Sequence, residues 1–204
     1  MINTDLKLMY YIRKYIEISK GDLSVNGQLY FHSSATDFSS MMKEFYKKLE
    51  ISYPKFYKMD DLCKLACIAS ELILKDETEK DIALLFSNNE GSLDTDSKHQ
   101  QSIQNSEAYF PSPAVFVYTL PNISIGEVSI RHQLKSESAF FIANEYQTDY
   151  MHKYTEQLLQ TNKAKKVLCG WVHCLNGDYK ACFYLVENNG ILEHNNQNIK
   201  HITK

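Results

Sequence analysis

Stretches with helical spacing of apolar residues alternate three times with short apolar runs in this chain. Elements of those two periods bury one another only when helices are laid against a sheet. The first helical pattern sets Leu62, Ala66, Ala69 and Ile73 on one stripe, widened by Leu65 and Leu72. Asp60 and Asp61 stand at its start, where carboxylates favour the helix dipole. After a charged turn, Ile82-Ala83-Leu84-Leu85-Phe86 reads as a strand covered on both faces. A second unit has Asn122 as the expected cap of a helix lined by Ile123, Gly126, Ile130 and Leu134, then the short run SAFFIAN from Ser138. Gly126 would allow close packing there. The third unit is helical from Tyr150 to Gln160 on Met151, Tyr154 and Leu158, and leads into the strand KVLCGWVHCL. Asn176-Gly177-Asp178 then favours an antiparallel hairpin with YKACFYLVE.

The order βαβαβαββ predicts an α/β fold of three layers, with a mostly parallel sheet and helices on both faces. Before it, weakly alternating Tyr11, Ile12, Tyr15, Ile16 and Ile18 precede an Asn26-Gly27 hairpin signal. A helix is predicted from Asp37 to Leu49 on Phe38, Met41, Met42, Phe45 and Leu49, stopped by Ser52, Tyr53 and Pro54. The polar stretch 88–106 reads as a surface loop, and the tail 188–204 as a segment that frays. Residues 1–204 are expected to form a single domain, with 1–35 as its divergent part.

A length of 204 residues with 44% hydrophobic content suits one compact domain. The net charge of -3, with 22 basic and 25 acidic residues interspersed, argues against a nucleic-acid partner. Apolar stretches such as Ala139 to Ala143 fall far short of the roughly 20 residues of a membrane span. Asp5 and the lack of an apolar run near the N-terminus argue against a secretory signal, so a cytoplasmic location is expected. Cys63, Cys67, Cys169, Cys174 and Cys182 read as buried reduced thiols, because the spacing of the first four fits a structural zinc site poorly. Neither a cofactor nor a metal is expected.

Three segments, YPKFYKMDDLCKLACIASELIL, PSPAVFVYTLPNISIGEVSIRHQLKSES and KVLCGWVH, together resemble the β-ketoacyl synthases of the thiolase-like superfamily. The first is similar to the helix after their first loop, the second to their proline-led loop and Asn-capped helix, and the third to their buried strand ending in Gly-Gly. The resemblance runs from Tyr53 to Glu187 and implies the N-terminal half of that fold, as a truncated synthase. Ser136-Glu137 stands where the family has Gly-Pro. Ungapped counting puts Glu145 at the position of the family's nucleophilic cysteine, and the surrounding AFFIANEYQTDY has no cysteine. A carboxylate is no substitute for a thiolate that must form and release a thioester. The family's second half, with two histidines that act on the malonyl thioester, is expected to be missing.

The resemblance further implies a non-catalytic partner of a full ketosynthase, like a chain-length factor, in fatty-acid or aryl-polyene and flexirubin-type biosynthesis. Its dimer strand would be Ser138, Ala139, Phe140, Phe141, Ile142 and Ala143, pairing across a two-fold axis with a second copy or with a ketosynthase, and acyl carrier protein would be a further partner. Two alternatives stay open: an altered enzyme using Glu145 as a base on acyl-carrier thioesters, and a stand-alone acyl or carrier-protein binding module.

Other residues compete for attention. Glu145 and Asp149 have the spacing of an acid/base pair on one helical face, or of acids favouring a helix N-terminus. Arg131 and His132 could bind a pantetheine phosphate or simply end a helix. His173 and Cys174, as neighbours on a strand, point to opposite faces and do not form a dyad. Fourteen Tyr and ten Phe could line an acyl channel or fill the core. No phosphate loop, dinucleotide fingerprint or Gly-x-Ser-x-Gly elbow is present.

Overall fold

The computed structural model describes residues 9–204; Asp5 and the N-terminal reading attached to it lie outside the described residues. Among the described residues, β1 (Tyr11–Ser19), β2 (Asp22–Val25) and β3 (Gln28–His32) lead into α1 (Phe38–Lys48) and α2 (Asp61–Leu74). β4 (Ile82–Asn88), α3 (Leu93–Ile103), α4 (Pro113–Val117), α5 (Ile123–His132), β5 (Ser138–Ile142) and α6 (Thr148–Gln160) follow. β6 (Lys166–Leu175), β7 (Asp178–Glu187), β8 (Leu192–Glu193) and α7 (Asn196–Ile202) close the chain. The sheet runs β3-β2-β1-β7-β6-β4-β5, with β8 also on β1.

β5, β4 and β6 are parallel, as the alternation requires, and β7 returns antiparallel to β6 through Asn176 and Gly177, both at positive φ. β1 continues the sheet antiparallel to β7 and brings β2, β3 and β8 with it, so residues 11–32 belong to the fold and the sheet is mixed, with two parallel and five antiparallel pairings, where a mostly parallel one was expected. The register slips between Ile12 and Lys14, a bulge that breaks the period-2 pattern and sets Arg13 apart. Arg13 turns to Glu77 at 2.7 Å and Glu187 at 3.6 Å, while Lys166 reaches the same carboxylates at 2.8 and 2.6 Å. Burial works to raise the Glu77 carboxyl, but Lys166, the Glu79 backbone N–H and Arg13 together hold it down at about 2.

That network makes an acid-stability prediction. A carboxyl depressed in the folded state stabilises it above the unfolded value of 4.5, and this is lost as pH falls through about 2. Unfolding midpoints of the wild type are therefore expected to fall across that window, and Glu77→Gln to show a smaller fall; equal slopes in the two proteins would refute it.

The two sheet faces carry separate cores. Ile82, Leu84 and Phe86 of β4 face α1, α2 and α5, whereas Ala83 and Leu85 face α6 and α7, which is why the run is apolar at every position. α2 starts on Asp60, whose side chain accepts from the Cys63 N–H, and α1 starts on Asp37, accepting from Ser40 N–H.

Four local expectations are corrected. The stretch 88–106 contains α3, a polar helix tied down where the Thr95 hydroxyl donates to Asp60. The tail 188–204 does not fray: β8 pairs with β1, and α7, capped by Asn195, buries Ile199 and Ile202. Burying two such side chains contributes about 1.5–3 kcal/mol each. In α5 Ile125, Val128 and His132 are buried, and Ile123 and, just past the helix, Leu134 pack against the same core as expected, whereas Ile130 is exposed and Asn122 makes no side-chain cap bond. Nothing lies within 4 Å of a Cβ built on Gly126, so it serves no close approach.

Candidate functional site

Among the described residues β5 is the outermost strand of the parallel part and pairs on one side only, with β4. Phe140 packs toward the α5 face, and Ala139 and Phe141 toward the α6 face, where Phe141 meets the rings of Tyr150 and Tyr154 edge-on. Ala143 N–H donates to Asn88 O, so by strand alternation the N–H groups of Phe140 and Ile142 point away from the sheet. The open edge thus offers backbone donors and acceptors flanked by aromatic side chains. Ile142 itself is 61% exposed.

The turn into β5 is held without the Gly-Pro of the expected pattern. Glu137 O accepts from the Leu84 N–H at 3.0 Å, Ser136 donates to Asp81 and Tyr154 to Glu137.

An exposed apolar segment stands beside the far end of this strand. Tyr109, Phe110, Phe116, Val117 and Leu120 are all exposed, Phe110 by 78%. Pro121 and Ile142 both lie against Gly91, whose φ of +63° turns the chain there, and the Ser92 hydroxyl donates to Thr119 O. These contacts join the apolar segment to the end of β5 as one surface. The composition of PSPAVFVYTLP signals it in the sequence, but only the fold shows that its aromatic residues stay outside the core.

Beyond β5 the chain turns through residues 143–147 into α6. Glu145 is exposed, and Gln147 donates to its backbone carbonyl at 3.2 Å. The next residue, Tyr146, turns inward: its hydroxyl lies 2.8 Å from that of Tyr184, and its ring meets Trp171 edge-on. Burial pushes both phenols well above their ordinary value, so both are neutral. Sequence counting missed Tyr146 because an aromatic gives no sign of which side of a turn it will enter.

The other candidates resolve into structural roles. Asp149 pairs with Lys153 at 2.7 Å and accepts from Asn196, which lowers its carboxyl; no hydrogen bond or ion pair joins it to Glu145 among the described residues. Arg131 is bound bidentately to the buried Glu71 at 3.1 and 2.7 Å, and His132 is buried 3.4 Å from the same carboxylate. Burial holds His132 down at about 4, so this pair offers no free charge to a phosphate. His173 Nδ1 lies 2.8 Å from Glu90, while the Cys174 side chain packs in the core on the opposite face, as strand alternation requires.

The five thiols are free and buried. Burial raises every one, with Cys169 at about 11 and Cys67 and Cys182 at about 12. None is a thiolate at neutral pH. The two pairs sit on α2 and β6 and do not gather as metal ligands among the described residues. A pocket of about 740 Å³ opens at the other end of the parallel strands, with Glu79, Asp81, Lys165, Lys166 and Glu187 in its wall beside Tyr10 and Leu159. No helix among the described residues is long and apolar enough to cross a membrane.

No protein-family model matches the chain, and no curated protein matches it in sequence. Solved structures match it well. The ishigamide ketosynthase/chain length factor superposes with a TM-score of 0.61 at 17% identity, over 88% of this chain and 62% of that one. A ketosynthase in complex with its chain length factor from Xenorhabdus doucetiae gives 0.59 at 15% identity, over 90% and 81%. A β-ketoacyl synthase from Burkholderia phymatum gives 0.60 at 12% identity, over 96% and 61%. This chain thus spans about three fifths of the length of the first and third of these proteins. Over most of its length the chain superposes on these ketosynthase structures and has their thiolase-like fold.

Proposed function

We propose that this chain is a non-catalytic partner of a ketosynthase, comparable to a chain-length factor, that associates through β5 and the apolar segment beside it. The open β5 edge is the observation that carries this reading. A strand edge with unpaired backbone groups adds a strand from a partner, and an adjacent apolar patch supplies the area that makes such pairing stable. Monomeric proteins avoid exposing both together. Two of the similar structures are described as a ketosynthase with a chain length factor, which fits a fold that works in pairs.

On this reading Glu145 occupies the family's nucleophile position and leaves it without chemistry. Its carboxylate is exposed, the five thiols are buried and protonated, and Tyr146 fills the space inside the turn. Fatty-acid-like or polyene biosynthesis is the setting the resemblance suggests. Wild type and Glu145→Cys, each incubated alone with acyl-carrier and malonyl-carrier thioesters, are expected to give no chain extension by mass spectrometry. Extension by wild type would establish an enzyme of altered chemistry, and extension by Glu145→Cys alone would show a complete condensing site awaiting only its nucleophile.

A further inference from the structure

His152, Glu156 and His194 stand together on the face of the sheet opposite α2, away from the β5 edge. His152 and Glu156 are one turn apart on α6, which puts both on the same side of the helix. His194 follows β8 directly and is held in place by its own N–H, which donates to Tyr10 O at 2.9 Å. One ligand atom from each of the three lies within 4.8 Å of the others.

His194 is only 3% exposed, yet neither ring nitrogen has a hydrogen-bond partner among the described residues. A buried imidazole with both nitrogens unpartnered is costly, and a bound ion would satisfy one of them. His152 Nε2 lies 3.4 Å from Glu156 Oε1. Two ligands at the usual zinc distances, set at tetrahedral angles, are roughly 3.4 Å apart. The rings of His152 and His194 have centroids 4.8 Å apart. A pocket of about 90 Å³ lined by these residues and by Tyr10 leaves room at the mouth.

We propose that His152, Glu156 and His194 form a binding site for a divalent transition-metal ion of the zinc class. Two imidazoles and one carboxylate are a borderline donor set that suits zinc over calcium or magnesium. His152 Nε2 lies 3.0 Å from the His194 carbonyl; to bind an ion through that nitrogen the neutral ring must carry its single N–H on Nδ1, so the ion would replace the contact to the carbonyl. The ion would join α6 to the β8–α7 segment, fastening the end of the chain to the body of the sheet.

The test is zinc titration of the untagged chain by calorimetry, with cobalt as a spectroscopic probe of coordination. One zinc per chain and a visible tetrahedral cobalt spectrum are expected. Loss of any one ligand should weaken binding by at least roughly 10–100-fold, the cost seen when even outer-shell partners are removed. His152→Ala and Glu156→Ala remove half-buried side chains and carry less folding risk than His194→Ala, whose ring is buried; His201→Ala, at an exposed histidine, is the control. Absence of zinc binding by wild type would overturn the proposal. So would unchanged affinity in either α6 variant, or an equal loss in the His201 control.

Discussion

Alanine in place of Phe183 is expected to remove about 3–5 kcal/mol of folding stability, near the top of the range for truncating a buried aromatic. The ring is fully buried, meets the Phe86 ring at a centroid distance of 4.6 Å with the planes tilted by 52°, and lies over Gly170, its partner across the β6–β7 pair. A Cβ built on Gly170 would stand 2.6 Å from the Phe183 ring, so the glycine is the floor of the slot the ring fills. The floor of the slot is the Gly170 backbone, fixed by the pairing of β6 with β4 and β7, so the slot cannot collapse from that side when the ring is removed. The measurement is urea unfolding, where the midpoint should drop at unchanged slope. A loss below about 1 kcal/mol would mean that the core relaxes around the cavity, contrary to this packing.

The same region shows what could be read in advance and what could not. β4 and α2 were legible because their burial is complete or strictly periodic: Ile82 to Phe86 is apolar throughout, and α2 repeats its stripe over its full length. The two hairpins were legible from Asn26-Gly27 and Asn176-Gly177, whose positive φ values those residues accommodate. β1 gave only a weak signal, since the bulge at Arg13 shifts its apolar positions out of step midway. α3 gave none, because its residues are polar and its helix depends on Asp60 of another element, a tertiary contact that local propensity does not encode. The tail was misread for the same reason: Ile199 and Ile202 are scattered among polar residues and gain meaning only against α6.

At the candidate site the legible part was the strand, and the illegible part was the direction of side chains in the turn after it. Counting from one motif to the next put Glu145 just past a strand and ahead of a helix, and it lies in the turn between β5 and α6. It did not show that Tyr146 points inward and Glu145 outward, a choice made by Tyr184 and Trp171 on β7 and β6. The cluster of His152, Glu156 and His194 was half visible, as a one-turn spacing on a helix, but its third member comes from a segment whose place was unknown.

Association through the open β5 edge is the central claim, and Ile142→Pro addresses it most directly. Proline removes one backbone N–H, and at Ile142 that N–H points outward, so the β4–β5 ladder keeps its bonds. The side chain is exposed, and the preceding Phe141 is already extended, the conformation that a following proline favours. The fold should therefore survive while the edge loses the ability to accept another strand. The measurement is molar mass by light scattering for wild type and Ile142→Pro, each alone and each mixed with a ketosynthase that co-purifies with wild type. Wild type is expected to be found as a pair, with itself or with that ketosynthase, and the variant to remain at the mass of a single chain with unchanged circular dichroism. A wild type that stays at the mass of one chain with no ketosynthase recovered, or a variant that pairs as well as wild type does, would contradict the account.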